Sequence, residues 1–393
     1  GKAWSVARML SLGLPVPPAV VITTDACRAY LDSGSVPAEL AAEIDGAITW
    51  LEQATGRQFG GAKPLLVSVR SGAAVSMPGM MDTVLNLGIN AVSEAALASE
   101  ADSATFARDT HRRFLELYAS IVLKATLADA TQHDPAALRA EVAAQGAAVP
   151  EDPRAQLLAA VKAVFDSWNS RRARRYRQHH GIADSLGTAV TVQAMVFGNL
   201  DARSGTGVLF SRNPLTGELA PYGEYLHRAQ GEDVVSGKFT PEPLSVLAAS
   251  APEVHAQLMS AAASLEQENA DVQDIEFTVQ HGVLYLLQTR AAKRAPQAAV
   301  RFAVDMVEEG RIDTHTALSR VQAEQIRTLL KPRLAAGATD GATVLAQGEP
   351  ACQGVGSGVV VSDSDSAEQR AAAGEAVVLA RATTSPEDCL LYT

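Results

Sequence analysis

The spacing of apolar residues predicts alternating helices and short strands in the first part of the chain. Apolar positions recur with helical spacing over Trp4–Leu12, Ala26–Asp32 and Ala38 to about Thr55. Two short apolar runs, Ala19–Thr24 and Leu65–Ser71, have the length and β-branched content of buried strands. The pattern therefore indicates a mixed α/β fold.

The middle of the chain changes character twice. From Ala91 to about Gln178 the pattern is helical and Ala-rich, and we interpret this block as a helical insertion between two β-containing parts. Strand-like patterns return at Thr188–Val196, at Gly205–Phe210 and around Asp233–Lys238. A β-hairpin is expected at Asp274–Arg290.

The last hundred residues divide into a connector and a second domain. Two amphipathic helices with a break at Gly310 are predicted between Pro296 and Leu334. Thr343–Val361 and Ala376–Ala380 are rich in Gly and Val, with a helix predicted at Ser366–Ala373 between them. This pattern is typical of the start of a small β/α domain, and we expect the chain to stop inside it.

Composition and charge narrow the class of protein. A chain of 393 residues has room for two or three domains. No run of eighteen uncharged apolar residues and no signal peptide are present, so neither a membrane span nor secretion is expected. Three scattered cysteines are too few for a disulfide framework, which favours a cytoplasmic protein. The net charge of −11 argues against nucleic acid as a partner.

One basic cluster stands against the acidic background, and we expect it to be a solvated helical face rather than a nucleic-acid site. Its members are Arg171, Arg172, Arg174, Arg175 and Arg177.

The stretch Val67–Thr83 carries the most distinctive chemistry. Arg70 ends a predicted buried strand, and a loop containing Gly72 and Gly79 follows it. A guanidinium beside backbone N–H groups that a ligand can approach closely suits an anion. The alternative is an arginine that closes the strand end against a nearby carboxylate.

The hairpin offers a candidate metal site whose geometry depends on its turn. A two-residue loop, His281-Gly282, divides the polar side chains between the two faces of the sheet. A three-residue loop that begins at Gln280 places Asp274, Glu276, Gln288 and Arg290 on one face. Carboxylate and amide oxygens suit Mg²⁺, and a guanidinium would neutralise a transferred phosphoryl group. A polar outer face of a half-exposed hairpin is the simpler alternative.

Other motifs are weaker or absent. The adjacent acids in Gln230–Gly237 fit a ribose, a base, a metal or a plain turn, and the Gly205-Thr206-Gly207 segment carries little alone. The chain has no Walker-type loop and no Gly-x-Gly-x-x-Gly that opens a helix, so a nucleotide site would need another architecture. The eight histidines form no hydrolytic pattern.

Taken in order, these stretches resemble pyruvate phosphate dikinase over almost the whole chain. The most specific piece runs from Ser68 to Asn86, with the core Met77-Pro78-Gly79-Met80-Met81-Asp82-Thr83. Further segments occur in the family's order: Leu12–Pro18, Gly205–Pro214, Tyr222–Tyr225, Gln230–Gly237, Asp274–Thr278, Leu287–Arg290 and Thr384–Asp388.

The resemblance implies a fold, a reaction and partners. It implies an ATP-grasp nucleotide-binding domain over residues 1–295 (insertion about 91–180), a helical linker over 296–340, and a truncated swivelling β/β/α phosphohistidine domain over 341–393. The family interconverts ATP, phosphate and pyruvate with AMP, pyrophosphate and phosphoenolpyruvate, using Mg²⁺ and K⁺ or NH₄⁺. Full-length members add a pyruvate-binding domain, on which their homodimers largely depend, so a monomer is the expectation for this chain.

Site residues carry over by position. Lys2 resembles the family's ATP-binding lysine, Arg70 its strand-end phosphate arginine, and Arg113 its third cationic residue. Asp233 resembles an acidic residue of the nucleotide site, and Gly79 lies in the phosphate loop. Glu276 and Gln288 resemble the metal and phosphate ligands, which favours the three-residue turn. Arg290 resembles the arginine beside the transferred group, so Arg290, Arg70 and Lys2 are the expected catalytic residues.

Two departures shape the functional expectation. Gly1-Lys2-Ala3 stands where the family has Gly-Gly-Lys-Gly. The phosphohistidine segment expected after Asp388 is also missing, since the sequence ends at Thr393. We therefore expect a fragment that binds Mg·ATP but does not complete turnover. The alternatives are a phosphoenolpyruvate synthase or another phosphotransferase of the superfamily, and a non-catalytic ATP-binding remnant. The Met77–Asp82 loop disfavours the first alternative.

Overall fold

The computed structural model describes residues 1–73, 75, 77, 79–128, 134–235, 239–330 and 355–382, with positions 337, 341, 343, 346 and 347. Two cysteines, Cys352 and Cys389, and the predicted motif Thr384–Asp388 lie outside the described residues. By contacts between residues the chain forms two compact units. Unit 1 comprises Gly1–Gly205, His227–Ala229 and Thr278–Gln288, and unit 2 comprises Thr206–Leu226, Gln230–Phe277 and Thr289–Thr393.

Five of the described helices follow one another between residues 91 and 179, a span in which residues 129–133 lie outside the described ranges. In order the helices are α1 (Lys2–Ser11), α2 (Thr24–Ser33), α3 (Ala38–Thr55), α4 (Ala91–Glu100), α5 (Ala104–Ile121), α6 (Pro135–Ala144), α7 (Pro153–Ser167), α8 (Arg171–His179), α9 (Gly231–Val235), α10 (Leu244–Ser250), α11 (Pro252–Asn269), α12 (Pro296–Glu308), α13 (Thr314–Arg320), α14 (Ala323–Leu330) and α15 (Ser364–Ala372).

The described strands are short, and most belong to one of two larger sheets. In order they are β1 (Ala19–Ile22), β2 (Gln58–Phe59), β3 (Pro64–Leu65), β4 (Val67–Gly72), β5 (Thr83–Leu87), β6 (Ala189–Ala194), β7 (Gly205–Phe210), β8 (Tyr222–His227), β9 (Glu242–Pro243), β10 (Gln273–Gln280), β11 (Val283–Ala291), β12 (Val359–Val361) and β13 (Val377–Leu379). The mixed α/β class expected from the sequence is confirmed.

Unit 1 is built on a four-stranded antiparallel sheet with the strand order β1-β6-β4-β5. Helices α2, α3, α5 and α7 contact its strands and bury an apolar core that includes Val67, Val69 and Val192. Because β4 and β6 are central and largely buried, polar side chains on them are held in fixed positions. The candidate site uses these two strands.

Register in this sheet is set partly by an irregularity in β5. Between the pairs Val67–Leu87 and Val69–Val84 the strand β5 has one more residue than β4. Asn86, fully buried, takes a left-handed φ of 60° there. The extra residue is a β-bulge, and beyond it Thr83 lies opposite Arg70.

Unit 2 contains most of a five-stranded sheet with the order β11-β10-β7-β8-β9. Between its strands, helix α9 covers Gly231–Val235, so the strand predicted around Asp233–Lys238 is wrong for its described residues. The reason is local: Asp233 accepts a hydrogen bond from Gln230 N through its carboxylate (2.9 Å) and thereby caps the start of the helix. Three helices, not two, are described between Pro296 and Leu330, and Gly310 follows the first with φ 69°.

The hairpin of β10 and β11 closes through a two-residue loop. His281 and Gly282 take φ values of 52° and 78°, as a type I′ turn requires at both central positions. The expected three-residue loop is therefore wrong. A two-residue loop alone would place Asp274 and Arg290 on opposite faces.

At the base of the hairpin the register has moved by one residue. Ala292 N donates to Val272 O (2.8 Å), and Arg290 Nε donates to Asp274 Oδ2 (2.7 Å). The backbone bond places Ala292 opposite Val272 and hence Arg290 opposite Asp274, and the side-chain contact agrees with this register, so β11 contains one additional residue between the loop and the base. This bulge places Asp274 and Arg290 on the same face of the sheet. The length of the turn alone did not predict this arrangement.

Among the described residues, no helix combines the length and the apolar character needed to cross a membrane.

Candidate functional site

Arg70 lies on the central strand β4 between two threonines. It pairs directly with Thr191 on β6 and with Thr83 on β5. Because directly opposed residues of antiparallel strands project from the same face, the guanidinium and both hydroxyls share that face. Thr191 is 2% exposed, whereas Arg70 is half-buried, so the charged end lies at the border of the core.

Gln288 comes to Arg70 from the other end of the sequence. Arg70 Nη2 donates to Gln288 Oε1 at 3.4 Å, a long hydrogen bond between residues 218 positions apart. An amide contributes no negative charge to this contact, unlike the carboxylate of the alternative interpretation. Two residues named from the sequence are thus together in unit 1.

Lys2 approaches the end of the same strand. A Cβ placed on Gly72 would lie 3.8 Å from Lys2 Cβ and 3.8 Å from Thr191 Oγ1. Gly1 lies so close to the backbone that a Cβ there would meet Ala73 O at 2.7 Å. Helix α1 therefore begins against the end of β4, with Lys2 as its first residue. Two cationic side chains and a helix N-terminus at one strand end favour an anion.

The loop after β4 is anchored by apolar packing. Met77 and Met80 are buried and pack with Trp168 and Ala173. Gly79 is exposed with φ 71°, and Met80 N donates to Met77 O across the turn (3.2 Å). The Met residues that make this loop distinctive therefore hold it in place, while Gly79 remains at the surface.

Polar contacts anchor the same loop. Arg172 Nε donates to Met80 O at 3.2 Å, and Arg172 also contacts the carboxylate of Asp82. Asp82 N donates to Ser167 Oγ at 3.4 Å. Since Asp82 precedes Thr83, which pairs with Arg70, these contacts tie helices α7 and α8 to the strand that bears the candidate site.

In unit 2, buried Asp274 and half-buried Arg290 form an ion pair next to Glu276. Burial raises the pKa of the Asp274 carboxyl, Arg290 opposes that shift and Glu276 adds to it. The pKa of Arg290 is raised although burial acts to lower it, because the carboxylates of Asp274 and Glu276 favour the cation. The three charges therefore interact on one face of the hairpin.

One carboxylate oxygen of Asp274 suggests a cation-binding site. Asp274 Oδ2 accepts from Arg290, but Oδ1 is buried and makes no hydrogen bond to any residue that the structure describes. A buried carboxylate oxygen without a donor is costly, and a cation would satisfy it. Asp274 and half-buried Glu276 are a fitting donor set for Mg²⁺, which prefers one or two carboxylates in proteins. No group of three His, Cys, Asp or Glu side chains within the described ranges is arranged to hold a metal.

Two further predicted residues have local contacts. Arg113 Nε donates to Asp109 Oδ2 at 2.8 Å within α5. Burial acts to raise the pKa of Asp109, but hydrogen bonds and charge from Arg112 and Arg113 hold it below its usual value. Asp233 is buried and caps α9 as described above.

Comparison with known families decides the affiliation of the chain. A family model described as "Pyruvate phosphate dikinase, AMP/ATP-binding domain" matches residues 33–256. The chain belongs to this family.

Individual pyruvate phosphate dikinases match nearly all of the chain. The chain is 42% identical to "Pyruvate, phosphate dikinase" of Clostridium symbiosum, 45% to "Pyruvate, phosphate dikinase 2" of Oryza sativa subsp. japonica and 43% to "Pyruvate, phosphate dikinase" of Rhizobium meliloti (strain 1021). Each match covers 99% of this chain and 48%, 46% and 47% of the relative, respectively. The chain spans about half the length of the curated relatives it matches.

The basic cluster of this pyruvate phosphate dikinase family member is not uniformly solvated. Arg177 is 1% exposed, its guanidinium lies 4.1 Å from the centre of the Trp168 ring, and its Nε donates to Asp184 Oδ1. The prediction of a solvated face is wrong for Arg177, because a long arginine side chain can bury its stem and stack on an aromatic ring. The other four are exposed as expected, although Arg172 also anchors the loop after β4: Arg171, Arg172, Arg174 and Arg175.

Asp274 is not among the metal ligands that the resemblance implies, although the sequence pattern places it on the candidate metal face of the hairpin, and no sequence signal marks Thr191. Asp274 was placed on the polar face of the hairpin, and the alternation of that strand was its available signal. Thr191 lies inside an apolar run, Ala189–Ala194, where no local pattern marks it. Its position depends on the pairing of β6 with β4, which is a property of the folded sheet.

Proposed function

We propose that this chain is the ATP-binding and phosphoryl-transfer part of a pyruvate phosphate dikinase and has the ATP-grasp architecture. The observation that most directly supports this proposal is that Lys2, Arg70 and Gln288 lie near the end of β4 in unit 1. Two cations and an amide at one strand end offer several N–H donors to phosphate oxygens. Family membership supports ATP as the nucleotide.

Each group has a distinct part in this proposal. Lys2 and Arg70 bind and orient the phosphate chain at the strand end, and Gly79 lets the loop backbone approach it. In unit 2, Asp274 and Glu276 are the carboxylates that would hold Mg²⁺, and Asp274 orients the guanidinium of Arg290. Mg²⁺, when bound, neutralises charge on the phosphate oxygens. Gln288 as a metal ligand with Glu276, and Arg113 and Asp233 as nucleotide contacts, are proposed from the resemblance.

The wider activity is proposed for the complete protein. In this proposal the complete protein converts ATP, pyruvate and phosphate to AMP, phosphoenolpyruvate and pyrophosphate. The reaction passes through a phosphohistidine and uses K⁺ or NH₄⁺ as the monovalent cation. We propose the division into residues 1–295, 296–340 and 341–393, a cytoplasmic location and a homodimer for the whole enzyme. A phosphoenolpyruvate synthase activity is disfavoured by the Met77–Asp82 loop.

Calorimetric titration with ATP, with and without Mg²⁺, tests the proposal. The unchanged protein should bind ATP more tightly with Mg²⁺. Arg70→Ala should weaken binding by about 10–100-fold, the range for one hydrogen-bonded charged contact. Arg290→Ala should weaken binding chiefly when Mg²⁺ is present. Arg154→Ala is the matched control, because Arg154 is exposed and pairs with Asp45.

The outcomes separate the proposed activity from the alternatives. ATP binding that Arg70→Ala leaves unchanged would contradict the proposed site. A folded protein that binds no ATP would favour the non-catalytic remnant. Supplying pyruvate and phosphate with ATP to the complete enzyme, and detecting phosphoenolpyruvate only when phosphate is present, would distinguish a dikinase from a phosphoenolpyruvate synthase.

A further inference from the structure

Thr191 has a buried hydroxyl for which the described part of the chain provides no hydrogen-bond partner. The residue is 2% exposed, and its Oγ1 makes no hydrogen bond to any residue within the described ranges. Thr188, three residues earlier, is equally buried, but its Oγ1 accepts from Gly72 N and donates to Ala189 O. A buried polar group without a hydrogen-bond partner costs free energy. A compensating role is therefore expected for the Thr191 hydroxyl.

The surroundings of this hydroxyl are those of an anion site. Thr191 pairs with Arg70 across β4 and β6, so their side chains leave the same face of the sheet. Its Oγ1 lies 3.8 Å from the position of a Cβ on Gly72, and Lys2 Cβ lies 3.8 Å from the same point. A hydroxyl donor, Arg70 and the base of the Lys2 side chain therefore lie at the strand end near Gly72, where the missing side chain leaves room.

We propose that the Thr191 hydroxyl donates a hydrogen bond to a phosphate oxygen of the nucleotide bound by Arg70 and Lys2. This inference rests on the proposed ATP-binding function and adds a binding residue to it. Oγ1 is covered in the present structure, and Arg70 and Lys2, which lie at the same strand end, have long and flexible side chains. Phosphate draws both cations toward itself, and its oxygen then takes a place beside the hydroxyl.

The proposal predicts opposite effects on stability and on binding. Thr191→Val keeps the shape of the side chain and removes the unpartnered hydroxyl, so the melting temperature should stay the same or rise. The same change should weaken ATP binding about tenfold, as expected for one hydrogen bond to a charged acceptor. Thr191→Ser should bind ATP nearly as well as the unchanged protein. A purely structural threonine would not produce this combination.

The test is calorimetric titration with Mg·ATP and with adenosine, beside thermal melting. Adenosine affinity should not respond to Thr191→Val, since the contact is to phosphate. Thr55→Val is the control, because the hydroxyl of Thr55 donates to Leu51 O within α3.

Three results would overturn the inference: unchanged ATP affinity in Thr191→Val, a parallel loss of affinity and stability, or equal weakening for adenosine. Failure of the proposed ATP-binding function would give a different result. In that case Arg70→Ala, like Thr191→Val, would bind ATP with unchanged affinity.

Discussion

Arg70 Nη2 lies 3.4 Å from Gln288 Oε1, so a strand-end arginine near the start of the chain is held by an amide from the hairpin near residue 290. The neutrality of this amide matters for the strand end. A carboxylate at the same distance would compensate the guanidinium, and the strand end would lose much of its attraction for phosphate. The Arg70–Gln288 contact itself adds no negative charge where a phosphate would bind.

A first prediction follows from replacing the amide by a carboxylate. Gln288→Glu should weaken ATP binding by at least tenfold when Mg²⁺ is removed by a chelator, because the new carboxylate would compensate the charge of Arg70. Gln288→Met, of similar length and uncharged, should weaken it less. Titration calorimetry compares the two variants. Tighter binding by Gln288→Glu than by Gln288→Met would show that Arg70 is not the phosphate contact.

The unpartnered oxygen of Asp274 leads to a second prediction. Asp274→Asn retains an acceptor for Arg290 but removes the charge beside Glu276. The gain in ATP affinity on adding Mg²⁺ should therefore shrink, while affinity without Mg²⁺ should change little. Asp271→Asn is the control, since Asp271 also pairs with an arginine, Arg294, in unit 2. An undiminished Mg²⁺ effect in Asp274→Asn would remove Asp274 from the metal site.

The anchoring of the loop after β4 can be tested through Arg172. Arg172→Ala removes the hydrogen bond to Met80 O and the contact with Asp82, so backbone amides of residues 79–82 should exchange hydrogen faster. Affinity for ATP should fall modestly, about threefold, because the arginine is exposed and acts through the loop. Arg171→Ala, an exposed neighbour on the same helix, should alter neither measurement. Equal exchange in both variants would contradict the anchoring role.

A pH dependence of stability is expected from His111. Its ring is buried, with Nδ1 against Glu94 and Nε2 3.4 Å from Arg139 Nη2. Burial lowers its pKa, Glu94 opposes the shift, and Arg139 adds to it. Because the folded pKa lies below the unfolded value of about 6.5, the neutral ring favours folding above that pH. This stability is lost as the pH falls through the folded pKa.

The His111 contribution can be isolated by substitution. The free energy of unfolding of the unchanged protein should decrease below about pH 6.5, with a slope of up to about 1.4 kcal/mol per pH unit from this residue, and the melting temperature should fall with it. His111→Gln should flatten the decrease between about pH 5 and 7, whereas His281→Gln, at an exposed position, should not. A slope that persists unchanged in His111→Gln would assign the acid sensitivity to other groups.

Local pattern was sufficient where a segment's own residues decide its structure. Helix α3 and strand β7 have the predicted bounds, Ala38–Thr55 and Gly205–Phe210, because apolar periodicity and flanking turn residues specify them. The strand predicted around Asp233 failed because so short a pattern does not distinguish a strand from a helix capped by its own aspartate.

The candidate site shows the same division. Sequence order and residue type by themselves determined the mixed α/β class, the family, and Arg70, Gln288, Asp274 and Arg290 as polar residues at strand ends. Only the tertiary structure decided that Arg70 meets Gln288, that a bulge in β11 reunites Asp274 with Arg290, and that Arg177 is buried over Trp168. Each of these relationships depends on strand register or on packing between distant segments, and a one-residue shift in register moves a side chain to the opposite face.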